Sequence, residues 1–292
     1  MECTVSDVPH GIADLLRLLD LETIEVNIFR GRSPDDRRQR VFGGQVAAQA
    51  LVAAGRTVDK GRVHSLHAYF LRPGDPTVPI LYEVDRIRDG RSFTTRRVVA
   101  IQHGQAIFNL HCSFHLDEDG IDHEQPPPEV PRPDLLGAGE AQWRTGAGGP
   151  EVPRGFLRPH GLELRFVSQP PWERSERGHE REQLWLRTEG PLPDDPLVHA
   201  AVVAFASDLT LVDTILQRHG FTPWAEEVIP ASLDHCMWFH RPFRADEWLL
   251  YDQHSPTAHG ARGLALGSLY TEAGHLVVSV AQEGLVRLRR PG

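Results

Sequence analysis

The feature that most limits the fold of this chain is an internal repeat of about 170 residues. The segment FLRP at residues 70–73 recurs as FHRP at residues 239–242, an offset of 239 − 70 = 169. Two pairs of turn glycines keep a nearly identical spacing of 170 residues, namely Gly90 with Gly260 and Gly104 with Gly274. Spacing this constant predicts one structural unit used twice.

The first unit is predicted to contain one helix followed by four strands. Residues 43–54 (GGQVAAQALVAA) are apolar on almost every side, which is typical of a buried helix rather than a surface helix. Runs rich in β-branched and aromatic residues, bounded by Gly, Pro and Asp, predict strands at residues 63–71, 79–88, 92–102 and 106–116, with one more at 23–30 ahead of the helix.

The second unit is predicted to repeat this order. A helix is expected at residues 207–217, because its apolar residues lie near helical spacing, Ser207 suits an N-cap and Gly220 lies just past the end. A leading strand is expected at 183–188, and four strands should follow the helix, at 231–239, 247–254, 261–271 and 276–288.

Two halves are therefore expected, at residues 1–116 and 160–292, joined by a linker at 117–159. The linker contains EQPPPEVPRP and GAGGPEVPRG, whose Pro and Gly density opposes long regular elements and favours a segment that wraps the surface. A buried helix wrapped by a twisted antiparallel sheet is the hotdog arrangement, and two units pair to cover what each leaves exposed. The predicted fold class is α+β, a double hotdog.

Composition narrows the range of functions. A net charge of −9 argues against a general nucleic-acid binder, and the chain has no apolar run of the roughly 18 residues that a membrane helix needs. The N-terminus does not read as a signal peptide, and the C-terminal RLRRPG lacks the S-K-L peroxisomal signal. Its three cysteines form no C-x-x-C pair. We expect a cytoplasmic protein without nucleic-acid or membrane partners.

Several segments together resemble the acyl-CoA thioesterase II (TesB-like) family. They include FGGQVAAQAL, VHSLHAYFLRPGDP, FASDLTLVDTIL, SLDHCMWFHRP and the QEG run, and the resemblance covers most of residues 20–116 and 160–288. The resemblance implies a double-hotdog fold, coenzyme A thioester substrates, no metal and no cofactor. Because double-hotdog proteins often pair again through their sheets, it also implies a homo-oligomer, either a dimer or a tetramer.

The resemblance further implies a catalytic trio in the second half. The family's aspartate corresponds to Asp208, its hydroxyl residue to Ser232 and its glutamine to Gln282. The family's common choice at the second position is threonine, so Ser232 keeps the hydroxyl but has more freedom in its χ1 angle.

These residue types suit thioester hydrolysis. A thioester is already a good acylating agent, so the enzyme needs an activated water and support for the developing oxyanion. Asp208 can take a proton from water, while Ser232 and Gln282 can orient it. Gln45 is expected to hold the place of Asp208 in the first half, which would then be catalytically degenerate, because glutamine is no general base.

Other readings of the same residues stay open at this point. An acid in the first turn of a helix usually stabilises the helix dipole, and Gln45 with Gln49 suits structural pairing as well as a cleft. His64 and His67 are three residues apart on a strand, which sends their side chains to opposite faces and disfavours a metal site. The alternatives are a hotdog acyl-CoA hydratase or dehydratase, and a non-catalytic acyl-CoA binding protein.

Overall fold

The computed structural model describes residues 11–34, 40–137, 161–167, 180–222 and 225–289, and contains one antiparallel sheet that runs through both halves. Two helices that are buried on nearly all sides pack together against this sheet. The double-hotdog prediction is confirmed.

The elements of the first half follow the prediction closely, except ahead of the helix. They are α1 (Ile12–Leu19), β1 (Glu22–Glu25), β2 (Ile28–Gly31), α2 (Gly43–Gly55), β3 (Arg62–Phe70), β4 (Ile80–Asp89), β5 (Phe93–Gln102) and β6 (Gln105–His115). The prediction of a single strand at 23–30 is wrong, because these residues form a hairpin of two strands, β1 and β2. Asn27 has a φ of 62°, a left-handed conformation that Asn tolerates and that turns the chain.

The second half contains one helix that sequence periodicity missed. Its elements are β7 (Leu162–Phe166), β8 (Arg181–Thr188), α3 (Pro196–Ser207), α4 (Asp213–Gln217), β9 (Val228–Ser232), β10 (Asp234–Phe239), β11 (Leu249–His259), β12 (Arg262–Thr271) and β13 (Leu276–Leu288). A short 3₁₀ turn, Pro133–Leu135, lies between the halves.

The helix predicted at residues 207–217 is wrong. The main helix is α3, which begins where the Asp195 side chain accepts a hydrogen bond from the Leu197 N–H at 2.9 Å and where Pro196 suits the first turn. Ser207 is the last residue of α3, not an N-cap, and its hydroxyl donates back to the Ala204 carbonyl at 3.1 Å. Only α4 lies inside the predicted range.

The strand order places equivalent strands of the two halves symmetrically about the centre. The order is β1-β2-β4-β5-β6-β3-β10-β13-β12-β11-β8-β7, with β9 paired to β13. The repeat extends to single hydrogen bonds: the Leu71 N–H donates to the Ile107 carbonyl at 2.9 Å, and the His240 N–H donates to the Val277 carbonyl at 2.8 Å.

Glycines allow α2 and α3 to approach closely. A Cβ on Gly44 would lie 2.5 Å from the Phe205 carbonyl oxygen, and a Cβ on Gly55 would lie 2.4 Å from Leu197 Cδ2. Gly44, near the start of α2, thus meets Phe205, near the end of α3. Gly55, at the end of α2, meets Leu197, near the start of α3. The two helices therefore run antiparallel. The N-terminus of α2 therefore meets the C-terminus of α3.

The described part of the linker, up to residue 137, lies along the second half. The Trp185 side chain donates from Nε1 to the Pro131 carbonyl at 3.0 Å, and His275 Nδ1 lies 2.9 Å from a Glu124 carboxylate oxygen. No helix in the described ranges has the length and hydropathy to cross a bilayer.

Candidate active site

The three residues expected to form the catalytic trio lie together at the junction of the two halves. Asp208 follows the last turn of α3, and its Oδ1 accepts a hydrogen bond from Gln282 Nε2 at 2.6 Å and one from Ser232 Oγ at 3.2 Å. The backbone N–H of Gly44, at the start of α2, also donates to this carboxyl group. One carboxylate thus gathers donors from α2, β9 and β13.

The pairing of β9 with β13 explains why two of these side chains converge. Ser232 is the last residue of β9 and lies opposite Gly284 of β13. Gln282 is two residues from Gly284, so its side chain projects from the same face as Ser232. That face is turned toward the helices, and Gln282 is completely buried there.

Asp208 caps a helix from the other half of the molecule. No side chain of its own segment caps α2, whose N-cap position is Phe42. The Asp208 carboxylate fills that role, because it accepts from the Gly44 N–H at the positive end of the helix dipole. A Cβ on Gly43 would lie 2.7 Å from Asp208 Oδ2 and 2.8 Å from Phe70 Cε1, so only glycine leaves this side of the carboxylate open.

Burial makes Asp208 a stronger base than an ordinary carboxylate. Desolvation raises the pKa of Asp208 to about 6, although the hydrogen bonds from Gln282, Ser232 and Gly44 act in the opposite direction. The group is therefore mostly ionised at neutral pH and accepts a proton more readily than an exposed aspartate. A general base with a pKa near the working pH is the most effective one.

A buried set of residues that the sequence did not reveal fixes the chain just before Asp208. The Tyr251 hydroxyl donates to the Ser207 carbonyl at 3.1 Å, and Ser207 Oγ lies 2.8 Å from His235 Nε2. Burial lowers the pKa of His235 to about 4, so this histidine is neutral at pH 7. His235 is completely buried.

The predicted equivalence of Gln45 with Asp208 is wrong. Gln45 lies in the first turn of α2, whereas Asp208 follows the last turn of α3. The residue that follows α2 in the same way is Arg56, whose guanidinium donates to Asp20 Oδ1 at 2.7 Å.

The glutamines of α2 have structural hydrogen bonds. Gln45 Nε2 donates to Ser33 Oγ at 3.0 Å, and Gln49 Nε2 donates to the Leu18 carbonyl at 2.7 Å. The Tyr82 hydroxyl donates to Gln49 Oε1 at 2.7 Å. Of the two readings left open, structural pairing describes these contacts.

Within the described ranges, no cluster of three or more His, Cys, Asp or Glu side chains is placed to hold an ion. The expectation that His64 and His67 lie on opposite faces is wrong, because a bulge shifts the register of β3 between Val63 and Ser65 and the His64 ring packs against His115 on the outer face. The absence of a metal requirement stays a prediction.

A helix buried in an antiparallel sheet, present twice in one chain with a polar site where the halves meet, defines a double-hotdog protein. Profiles described as acyl-CoA thioesterase and as acyl-CoA thioesterase N-terminal domain match residues 161–285 and 33–115. Human acyl-coenzyme A thioesterase 8 is 38% identical over 97% of this chain and 92% of its own length. Acyl-CoA thioesterase 2 of Haemophilus influenzae is 37% identical over 94% of this chain and 97% of its own.

A solved structure supports the same grouping. The crystal structure of the acyl-CoA thioesterase II TesB2 from Mycobacterium marinum has a TM-score of 0.76 at 45% identity, covering 94% of this chain and 98% of that one. The chain belongs to the acyl-CoA thioesterase family, and it is an enzyme of the hydrolase class.

Proposed function

We propose that this enzyme hydrolyses acyl-CoA through one water molecule that Asp208, Ser232 and Gln282 hold and activate. The water oxygen attacks the thioester carbonyl while Asp208 takes its proton. The tetrahedral intermediate then collapses, the C–S bond breaks, and the proton passes from Asp208 to the departing thiolate. The products are a free carboxylic acid and coenzyme A, and no covalent enzyme intermediate is needed.

The observation that supports this mechanism best is the asymmetric use of the Asp208 carboxylate. Oδ1 accepts from both Gln282 and Ser232, which fixes the orientation of the group. Oδ2 faces Gly43, which has no side chain to cover it, and we assign this oxygen to the water. Gln282 Oε1 is buried and has no hydrogen-bond donor within the described ranges, so it is suited to accept from the same water.

The N-terminus of α2 is the proposed site for the oxyanion. Backbone N–H groups in the first turn of a helix have no intrahelical acceptors, and the helix dipole favours negative charge there. The Gly44 N–H already donates a hydrogen bond to the Asp208 carboxylate. We assign the neighbouring N–H groups of this first turn to the thioester carbonyl oxygen.

A thiol-release assay over a panel of acyl-CoA esters tests this proposal. We expect equal amounts of free thiol and carboxylic acid, and no dependence on added divalent ions or on a chelator. Release of neither product, with water added to or removed from an enoyl-CoA instead, would favour the hydratase alternative. Binding without any turnover would favour a non-catalytic binding protein.

We also propose a homo-oligomeric, cytoplasmic enzyme of fatty-acid metabolism. Tyr69 is 63% exposed and Trp238 is 37% exposed, on adjacent strands β3 and β10 and on the sheet face turned away from the helices. Such aromatic surface favours an interface. Cys112 and Cys236 are free thiols, as a reducing compartment would keep them. Light scattering that finds a monomer would refute the oligomer, and an oligomer that persists in Trp238→Glu would refute this interface.

A further inference from the structure

A second cavity lies where the repeat places the counterpart of the active site. It has a volume of about 550 Å³, within the usual range for a small-molecule site. In the active site, Phe70 packs at the N-terminus of α2; in this cavity, Phe239 lies beside His199 and Ala200 in the first turns of α3. Phe239 is the counterpart of Phe70 at the offset of 169.

The catalytic trio has no equivalent in this cavity. Ser232 pairs with Gly284 across β9 and β13, and the same register pairs Val63 with Phe114 across β3 and β6, so Val63 stands in the place of Ser232.

The other two positions of the trio have also changed. An offset of 282 − 112 = 170 puts Cys112 in the place of Gln282. Arg56, in the place of Asp208, points to Asp20. A ligand in the second cavity would therefore be held without a general base to activate water.

The cavity contains two histidines with hydrogen-bonding capacity to spare. His199 is 3% exposed, and its Nδ1 accepts from the Ala245 N–H at 3.0 Å, so the neutral ring carries its proton on Nε2. The Pro193 carbonyl also acts on the His199 ring, but neither that Nε2 nor Nε2 of His64 makes a hydrogen bond of normal geometry to a described residue. Burial lowers the pKa of both rings, and neutral N–H donors suit an uncharged carbonyl.

The rest of the lining divides into apolar walls and a charged rim. Phe239, Phe243 and Ala200 offer apolar surface, as an alkyl chain requires. Three arginines stand at the rim and pair with exposed carboxylates: Arg62 with Asp117, Arg241 with Asp122 and Arg244 with Asp194. Arg241 is also held by Glu124 and Arg244 by Asp246. Exposed ion pairs contribute little free energy, so a phosphate can displace the three exposed carboxylates at small cost, while Asp246 and Glu124 keep Arg244 and Arg241 in place.

We propose that this cavity is a second, non-hydrolysing site for an acyl-CoA thioester. The thioester carbonyl accepts from His199 and His64, the acyl chain lies along Phe239 and Phe243, and the phosphates of coenzyme A meet the rim arginines. The ligand class rests on the proposed function, but the site is distinct from the Asp208 site. One chain then binds two acyl-CoA molecules and hydrolyses one.

Calorimetric titration with a 2-oxoalkyl thioether of coenzyme A counts these sites. In this probe a methylene between sulfur and carbonyl prevents hydrolysis. Wild type and Asp208→Asn should each bind two molecules per chain. His64→Phe keeps a ring of similar size but removes the donor, and should weaken the second site at least tenfold. His67→Phe, an exposed histidine of the same strand that does not line the cavity, is the matched control and should keep two sites.

Binding of one probe molecule per wild-type chain would overturn the second site. Tight binding of two probe molecules by both His64→Phe and a folded His199→Phe would overturn it as well. The same preparations are assayed for thiol release from acyl-CoA. Thiol release with a single probe site would refute only the second cavity, while the absence of thiol release from wild type would refute the proposed function. Probe stoichiometry and turnover are thus read separately.

Discussion

At the scale of single residues, Asp208 caps a helix and is also the proposed general base. It caps α2 through the Gly44 N–H, and its carboxylate accepts hydrogen bonds from both Gln282 and Ser232. Helix capping orients the group, while burial keeps its pKa near neutrality. Sequence comparison could find Asp208, but not its capping role, because the capped helix lies about 160 residues earlier in the chain.

The pH dependence of hydrolysis should report the Asp208 carboxyl directly. Because its pKa is raised to about 6, the basic form is present above that pH and is lost as the pH falls through it. We expect kcat/KM to decline on the acid side with a midpoint near 6. Gln282→Leu removes a hydrogen bond that favours the ionised form, so the midpoint should move to higher pH. An acid limb near 4 in wild type would contradict the assignment.

Gly43 should tolerate no side chain. The Cβ of an alanine would meet Asp208 Oδ2 at 2.7 Å and the Phe70 ring at 2.8 Å, so Gly43→Ala must displace the base or the ring. We expect thiol release to fall by on the order of 10²-fold, as for other small displacements of catalytic groups. Gly120→Ala, which meets nothing within 4 Å, is the control and should keep wild-type activity. Equal activity of the two variants would argue against a site at this position.

At the scale of elements, the sequence predicted most strands and misplaced one helix. Strands β3 to β6 and the helix at 43–54 were predictable because turn residues bound them and the repeat supplied a second copy. The pattern at 207–217 misled because α3 is apolar on all sides and shows little periodicity, whereas the segment after it mimics an amphipathic helix. The site residues were found through family resemblance; their mutual contacts required the fold.

The opposite end of α2 depends on a buried cation. Arg96 is 1% exposed and donates to Thr57 Oγ1 at 2.8 Å and to the Thr57 carbonyl at 2.9 Å, just beyond the helix C-terminus. Arg96→Met would leave these acceptors buried without donors, so the free energy of unfolding should fall by about 2–4 kcal/mol. Its neighbour Arg97 has a half-exposed pair with Asp85, and Arg97→Met should cost less than about 1 kcal/mol. Urea unfolding measures the free energy of unfolding of both variants. Equal losses in the two variants would refute the proposed role of Arg96 at the C-terminal end of α2.

At the scale of the whole molecule, both halves contribute to the proposed active site. The second half supplies Asp208, Ser232 and Gln282, and the first half supplies the N-terminus of α2 with Gly43 and Gly44. The halves are also joined by β3 and β10, which pair from Ser65 with Trp238 to Tyr69 with Asp234.

Thiol release by Asp208→Asn is the most direct measurement of the central claim. Asparagine keeps the shape of the side chain but cannot take the proton from water. With folding verified by circular dichroism, hydrolysis should fall by on the order of 10²–10⁴, while binding of the non-hydrolysable probe changes little. Gln45→Glu, which places an acid in the first turn of α2, should not restore activity to this variant. A folded Asp208→Asn enzyme that hydrolyses acyl-CoA at the wild-type rate would contradict the account.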